Sequence, residues 1–422
     1  MSRLFLSLPV VLAACCVFGR EPNLDESKVG PYTLESPLVF EDGTPLKDRS
    51  EWPKRRAEIV RIFEREMYGR TPPPPETVTF EKFEEGETFA GLGVRRQYRM
   101  RFIKDGTGPK IDWMVITPKY AKGALPVYLM LNYNGNHELL DDEQIPITDG
   151  WFKKISKPGP RGLMRRSDQR SGIDIGQILA RGYAYMTACY TEICGDPLCP
   201  EEPESLAYGG VFALWPKRDE RATDEKTALG AWAWALSRGL DLAEKLPEID
   251  AKRAVVTGSS RLGKAALLAM SRDERFAVAV INQTGGGGVP LAKRDLGENV
   301  STEMVMFPHW FCKAYAKYVD NEQAMKFDQH LLVASIAPRP ILVEGYDREW
   351  FDTRGEYLSC KAASAAWEFL GEPGLPAGDF PADFDESLIG PKLGYVHRAG
   401  LHGFSPWDWK WSLDFADAAL KR

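Results

Sequence analysis

The strongest constraint on the fold is the run 125-LPVYLMLNYNG-135. It is apolar without alternation, so a strand made from it must be covered on both faces, as inner strands of parallel sheets are. Comparable runs follow at 183-YAYMTACY-190, 253-RAVVTG-258, 276-FAVAVIN-282 and 339-RPILVEG-345. Segments with helical spacing separate or follow them, at 174–182, 222–246, 261–273, 354–371 and 406–422. Strands alternating with helices predict an α/β chain, a three-layer sandwich with a mostly parallel central sheet. Upstream, 76-ETVTFEKF-83, 93-GVRRQYRMRFI-103 and 111-IDWMVITP-118 read as further strands. The segment 51-EWPKRRAEIVRIFEREMYG-69 reads as an amphipathic helix stopped by Gly69, set in a surface-wrapping arm over 29–76. No internal repeat, low-complexity tract or composition break divides 20–422, which is expected to form one domain.

The charge balance narrows the partners. Lys and Arg number 54 against 60 Asp and Glu, a formal net charge of -6. A nucleic-acid binder would carry a basic stripe, and none is present. The first 19 residues read as an export signal: Arg3 precedes the apolar run 4-LFLSLPVVLAACCVF-18, which is too short to cross a bilayer. Within it, 12-LAAC-15 has the form of a lipid-attachment site with Cys15 as first mature residue; cleavage after Gly19 is the alternative. The expected location is outside the cytoplasm, whether periplasmic, extracellular or lipid-anchored at a bacterial envelope, with the membrane reached only through that lipid. Cys194 and Cys199, spaced by four residues, could close a disulfide loop in an oxidising compartment. No Cys/His spacing suggests a metal, and no cofactor is expected.

The chemistry concentrates in 258-GSSRLGK-264. A buried strand, a tight glycine-containing turn and a helix form the nucleophile elbow of α/β-hydrolases, which holds a serine on a sharp turn above the sheet. By that rule Ser260 is the candidate nucleophile. The competing reading is an ordinary helix-capping serine. The second glycine, Gly263, stands three residues after Ser260 rather than two, a departure from the usual pattern. Arg261 follows the serine at the helix head, where backbone N–H groups and the guanidinium can face a developing oxyanion. Lys264 lies one helical turn on, so both cations suit an anionic or polyhydroxylated substrate.

A serine nucleophile needs a base and an acid, in the chain order serine, acid, histidine for such a fold. His137, His309 and His330 lie in segments without a matching strand end. His402, in the glycine-flanked loop 400-GLHGFSPWDW-409, suits the base, while His397 in 394-GYVHR-398 reads as packed within a strand. The acid is sought after 339-RPILVEG-345, where Asp347 comes first and Glu349 close behind; either can instead be a surface or capping acid.

These residues together resemble carbohydrate esterase family 15, the glucuronoyl esterases, whose signature is G-C-S-R-x-G-K. The similarity extends through 65-REMYGRTP-72, 131-LNYNGNH-137, 178-ILARGYA-184, 231-AWAWALSRGLD-241, 292-AKRDLGE-298, 349-EWFDTRGEYL-358 and 394-GYVHRAGLHGFSPWDW-409, in the family's order. The resemblance implies an α/β-hydrolase fold, no metal, and hydrolysis of esters between (4-O-methyl-)glucuronate of xylan and lignin alcohols. It implies Ser260 as nucleophile, His402 as base, Arg261 on the oxyanion, Lys264 and Glu298 on the uronate hydroxyls, and Trp350 walling the pocket. Two departures stand out. Ser259 replaces the family's Cys, and Gln283 occupies one of the two places where the family puts its acid, so the acid is expected from Asp347 or Glu349. The alternatives are another carbohydrate ester hydrolase, such as an acetyl-xylan esterase, or a catalytically impaired glycan-binding lipoprotein.

Overall fold

The computed structural model describes residues 21–150, 172–346, 348–381 and 387–421. The leader with Cys15, and Asp347, lie outside the described residues. Among the described residues ten strands form one sheet: β1 (Thr79–Thr88), β2 (Gly93–Arg101), β3 (Lys110–Pro118), β4 (Leu125–Asn132), β5 (Ala184–Cys189), β6 (Ile249–Ser259), β7 (Val278–Asn282), β8 (Ile341–Tyr346), β9 (Ser387–Ile389) and β10 (Leu393–Arg398). Their order is β1-β2-β3-β5-β4-β6-β7-β8-β10-β9. From β5 through β10 every neighbouring pair is parallel, while β1, β2, β3 and β9 add antiparallel edges.

Helices cover both faces. They are α1 (Trp52–Phe63), α2 (Asn136–Leu139), α3 (Ile175–Ala180), α4 (Tyr190–Ile193), α5 (Ala228–Ala243), α6 (Arg261–Arg272), α7 (Val300–Met306), α8 (Gln329–Ala334), α9 (Thr353–Leu370) and α10 (Pro406–Ala419). The unbroken apolar character of β4 has its cause in this layering. Val127, Leu129 and Leu131 join one core with α1, α5, α6 and α9, while Tyr128 and Met130 join a second with α3 and α10. The three-layer α/β-hydrolase architecture expected from the sequence is therefore the one observed.

Some boundaries differ from the sequence expectation. The helix expected over 222–246 begins only at Ala228, because Thr227 caps it by accepting the Gly230 N–H at 3.1 Å and donating to the Tyr68 carbonyl at 2.7 Å. The helix expected to run to Gly69 passes from α1 into a π-helical turn, Glu64–Tyr68, before Gly69 turns the chain at φ 71°. The disulfide that Cys194 and Cys199 could have closed is not formed: both are free, buried thiols. Cys194 is packed in the core with α5, and Asp196 between the two turns into a buried polar cluster instead of letting the loop close on itself.

The N-terminal arm wraps over the loop ahead of α7. Lys293 Nζ bonds the Thr33 carbonyl at 2.9 Å and Glu35 at 2.7 Å, and the Gly297 N–H donates to the Asn23 carbonyl at 2.8 Å. Segment 23–35 thereby fixes the loop that carries Glu298. No helix among the described residues is long and apolar enough to cross a membrane.

Candidate active site

β6 ends at Ser259 and α6 begins at Arg261, so Ser260 alone makes the turn, at φ 56° and ψ -132°. That conformation strains a residue with a Cβ and persists only where the surroundings enforce it. Gly258 and Gly263 permit the close approach. A Cβ on Gly258 would lie 2.3 Å from the Leu262 carbonyl oxygen, and one on Gly263 would lie 2.9 Å from that of Gly258. The two glycines meet across the turn, which accounts for the spacing of three residues between Ser260 and Gly263. The Ser260 N–H donates to the Asn282 carbonyl at 3.0 Å, and the Tyr133 hydroxyl donates to the Ser259 carbonyl at 2.7 Å. The Ser260 carbonyl accepts from the Lys264 N–H at 3.0 Å, so the N–H groups ahead of Lys264 have no partner within the helix. They form a positive end beside the serine hydroxyl.

Ser260, Arg261 and His402 line one cavity of about 260 Å³, with Tyr133 and Phe404 among its other walls. His402 reaches it from the loop between β10 and α10. Behind that loop Ser405 and Asp408 form a capping box, and Asp408 holds Arg398 at 2.8 Å. The imidazole packs on Phe351 at 4.4 Å and on Tyr346 at 5.4 Å between ring centroids.

Its Nδ1 lies 3.0 Å from Gln283 Oε1, which also accepts the Gly403 N–H at 2.8 Å. The Gly403 donor assigns that amide atom as oxygen, and the oxygen in turn assigns the proton to Nδ1. Nε2 is left as the basic nitrogen. Gln283 is fully buried at the end of β7, at φ 48°, and its N–H donates to the Glu344 carbonyl at 2.8 Å. His402 is an exposed residue, yet its ring packs against Phe351 and Tyr346 and its surroundings push the pKa down to about 4. The main cause is partial withdrawal from water, followed by the nearby cations Arg261, Arg398, Lys264 and Arg348.

Lys264 is buried and donates to Glu298 at 3.0 Å, with Glu303 at 3.9 Å. Burial raises the Glu303 carboxyl well above the usual range, against the pull of Lys264. Trp350 is half-buried beside Glu298, whose N–H donates to the Trp350 carbonyl at 2.9 Å. Glu349 sits exposed in the 3₁₀ turn Glu349–Phe351; among the described residues the hydrogen-bond partner of the His402 ring is Gln283, not Glu349. His397 is buried in β10 with Nδ1 3.0 Å from the Pro381 carbonyl. Among the described residues no group of three or more His, Cys, Asp or Glu side chains is arranged to hold a metal.

Asp196, His309 and Trp310 stand behind Arg261, and little in the sequence announces them. Asp196 comes from a loop with no periodicity, and His309 precedes no strand end. The dense aromatic run 307-FPHWF-311 is the one available signal. Phe307 and Trp310 stack at 3.9 Å between centroids, and the indole carries Arg261 at 4.8 Å and Lys264 at 4.6 Å.

This architecture is shared with known proteins. The family model for fungal glucuronyl esterases matches residues 201–371. The chain is 34% identical over 404 residues to the carbohydrate esterase MZ0003 of an unknown prokaryotic organism, covering 94% of this chain and 91% of that one. It is 25% identical over 380 residues to a 4-O-methyl-glucuronoyl methylesterase of Phanerochaete carnosa, covering 84% and 79% of the two chains. The solved structure of a glucuronoyl esterase from Solibacter usitatus superposes with a TM-score of 0.86 at 34% identity, covering 94% of this chain and all of that one.

Proposed function

The chain belongs to carbohydrate esterase family 15, the glucuronoyl esterases, and from that membership we propose that this carboxylic ester hydrolase cleaves esters of (4-O-methyl-)glucuronate, with Ser260 as its nucleophile. The substrate class follows the relatives' names, 4-O-methyl-glucuronoyl methylesterase among them. Its natural form would be the ester joining glucuronoxylan to a lignin alcohol. The observation that carries the reading is the convergence of Ser260, Arg261 and His402 on one cavity.

In the proposed reaction the Ser260 hydroxyl gives its proton to His402 Nε2 as its oxygen attacks the ester carbonyl. The negative charge that forms on the carbonyl oxygen is met by Arg261 and the positive N-terminal end of α6. Collapse breaks the carbon–oxygen bond to the alcohol, which leaves with the proton from the imidazolium. The uronate then remains as an ester of Ser260. A water molecule, deprotonated by His402, attacks that ester and releases free glucuronate and the serine. The preset tautomer matters here, because Gln283 keeps Nε2 free to serve as base. Lys264 and Glu298 supply a charged donor and acceptor for ring hydroxyls, and the Trp350 indole supplies a flat wall. With Gln283 at Nδ1, the acid of the 347–349 loop, Asp347 or in its place Glu349, is proposed to act only by adding negative charge near the imidazolium.

Ser260→Ala is expected to abolish hydrolysis of benzyl glucuronate while leaving the thermal transition within a few degrees of the parent. Retained turnover would remove Ser260 from the mechanism. Release of acetate from acetylated xylan at a higher kcat/KM than alcohol from benzyl glucuronate would favour the acetyl-esterase alternative. We further propose that residues 1–19 direct export and that 20–422 act as one catalytic unit; sequencing the N-terminus of the mature protein, and testing it for lipid at Cys15, checks the first point.

A further inference from the structure

Arg261 is held from behind. Its Nη1 donates to Asp196 Oδ2, which also accepts the Tyr190 hydroxyl at 3.0 Å. The other carboxylate oxygen accepts the Trp310 indole N–H at 2.8 Å and lies 2.9 Å from His309 Nε2. Asp196 is buried, and so are His309 and Trp310. Burial opposes ionisation of Asp196, yet Arg261, His309 and Trp310 together keep its carboxyl well below the usual range. Four donors on one carboxylate leave it little freedom to turn.

The guanidinium is fixed in its plane as well. Its carbon lies 5.0 Å from the Phe307 ring centroid and 4.8 Å from that of Trp310. Asp196 takes one corner, Nε is buried without a hydrogen-bond partner among the described residues, and about 25% of the side chain stays exposed. The side chain lines the cavity that holds Ser260. A cation clamped on one side and unspent on the other is suited to charge that exists only in the transition state. Its orienting cost is met on folding and not in each turnover.

We propose that Asp196 is a positioning residue for Arg261: the buried carboxylate, held by Tyr190, His309 and Trp310, fixes the guanidinium toward the oxyanion that forms on Ser260 attack. The proposal rests on the oxyanion role given to Arg261 above. It predicts an effect on kcat more than on KM, because the substrate carbonyl gains its charge only in the transition state.

The test is a double-mutant cycle on the full-length protein with benzyl glucuronate, using Asp196→Asn, Arg261→Ala and the pair. Arg261→Ala is expected to lower kcat by about 10²-fold or more, as loss of an oxyanion donor does. Asp196→Asn alone is expected to lower kcat by about tenfold to 10²-fold, with KM changed less than about threefold. In the Arg261→Ala background the same substitution is expected to cost nothing further. Multiplicative losses in the double variant would overturn the proposal, since Asp196 would then act independently of Arg261. Undiminished kcat in Asp196→Asn, beside a large loss in Arg261→Ala, would also overturn it while leaving the Arg261 role intact. Undiminished kcat in Arg261→Ala would instead overturn the oxyanion assignment itself, and the proposal with it. Where Asp196→Asn fails to fold, Tyr190→Phe removes one bond from the oxygen that holds Arg261, and the cycle with Arg261→Ala is run on that variant with the same criterion: a loss that vanishes without Arg261 supports the proposal, and an equal or absent loss overturns it.

Discussion

Gln283 Oε1 receives both the His402 imidazole, at Nδ1 3.0 Å away, and the Gly403 N–H at 2.8 Å. An uncharged amide thus does the orienting at the place after β7 where a hydrolase can put a carboxylate. It fixes ring and tautomer, but it adds no negative charge to favour the imidazolium. Withdrawal from water first, and the surrounding cations after it, push the His402 pKa down to about 4.

Gln283→Glu is therefore expected to change the pH dependence of the reaction. In the parent, His402 is neutral and competent above its pKa of about 4, so the acidic limb of kcat/KM should be centred near there. A carboxylate in place of the amide favours the charged ring and raises its pKa, which moves that limb to higher pH. The sign for stability follows the same shift. The parent ring prefers to be neutral when folded, so stability from this group is lost as pH falls from the unfolded value of 6.5 toward 4. A pH–rate profile of both proteins checks it; an unmoved acidic limb would mean that Gln283 does not govern the ring.

Much of this was open to sequence reasoning, and the boundary is physical. The parallel core was legible because β4, β6 and β7 need apolar residues on both faces. The Ser260 turn was legible because a buried strand, Gly258 and a helical run meet there, while the place of Gly263 looked irregular and is explained only by its contact with Gly258. The Asp196 cluster was not, since it joins a loop after α4 to a turn after α7, 113 residues apart at its His309 contact, and neither segment has a periodicity to betray burial. The orienting contact of Gln283 was equally hidden: its side chain type excludes a charge but says nothing of its distance to an imidazole. The spacing of Cys194 and Cys199 left a disulfide open, because proximity in sequence does not say whether two thiols turn toward each other.

Lys264→Met is expected to separate binding from chemistry. The ammonium is buried against Glu298, with Glu303 close by and Trp310 beneath it. Methionine keeps the stem's packing and removes the charge. A hydrogen bond from a charged group to a sugar hydroxyl contributes about 1.5–3 kcal/mol, so KM for benzyl glucuronate should rise by about tenfold to a hundredfold with a smaller change in kcat. The melting temperature should also fall, because Glu298 loses its partner in a mostly buried setting. Steady-state kinetics and a thermal melt test both parts; an unchanged KM would remove Lys264 from uronate binding.

Glu356→Gln addresses a buried acid beside the site. Glu356 lies in α9 and accepts the Thr284 N–H at 3.2 Å, holding the residue next to Gln283. Its Oε2 is buried without a hydrogen-bond partner among the described residues, and burial raises its pKa well above 4.5. The folded state therefore keeps the proton that the unfolded chain gives up above pH 4.5, so this group costs stability as pH rises from 4.5 toward its raised folded value. Glutamine imitates the protonated acid and abolishes that penalty. The variant should melt within a few degrees of the parent at pH 4.5 and above it at pH 8, as read by differential scanning calorimetry. A variant less stable at pH 8 than at pH 4.5, by the same margin as the parent, would place the charge on Glu356 in the native state.

The thiols offer a direct check on the loop that carries Asp196. Cys189, Cys194, Cys199, Cys312 and Cys360 are all free and buried, and burial raises the Cys189, Cys194 and Cys360 thiols most strongly out of their reactive range. Reaction with a thiol reagent needs both access and the thiolate. In the native protein at pH 7 these five should label slowly, over hours, and after denaturation without reductant all five should label within minutes. Peptide mass mapping identifies which sites react. A Cys194–Cys199 cross-linked peptide from the purified protein would show that the loop closes on itself, and Asp196 would then have to leave the position in which it clamps Arg261.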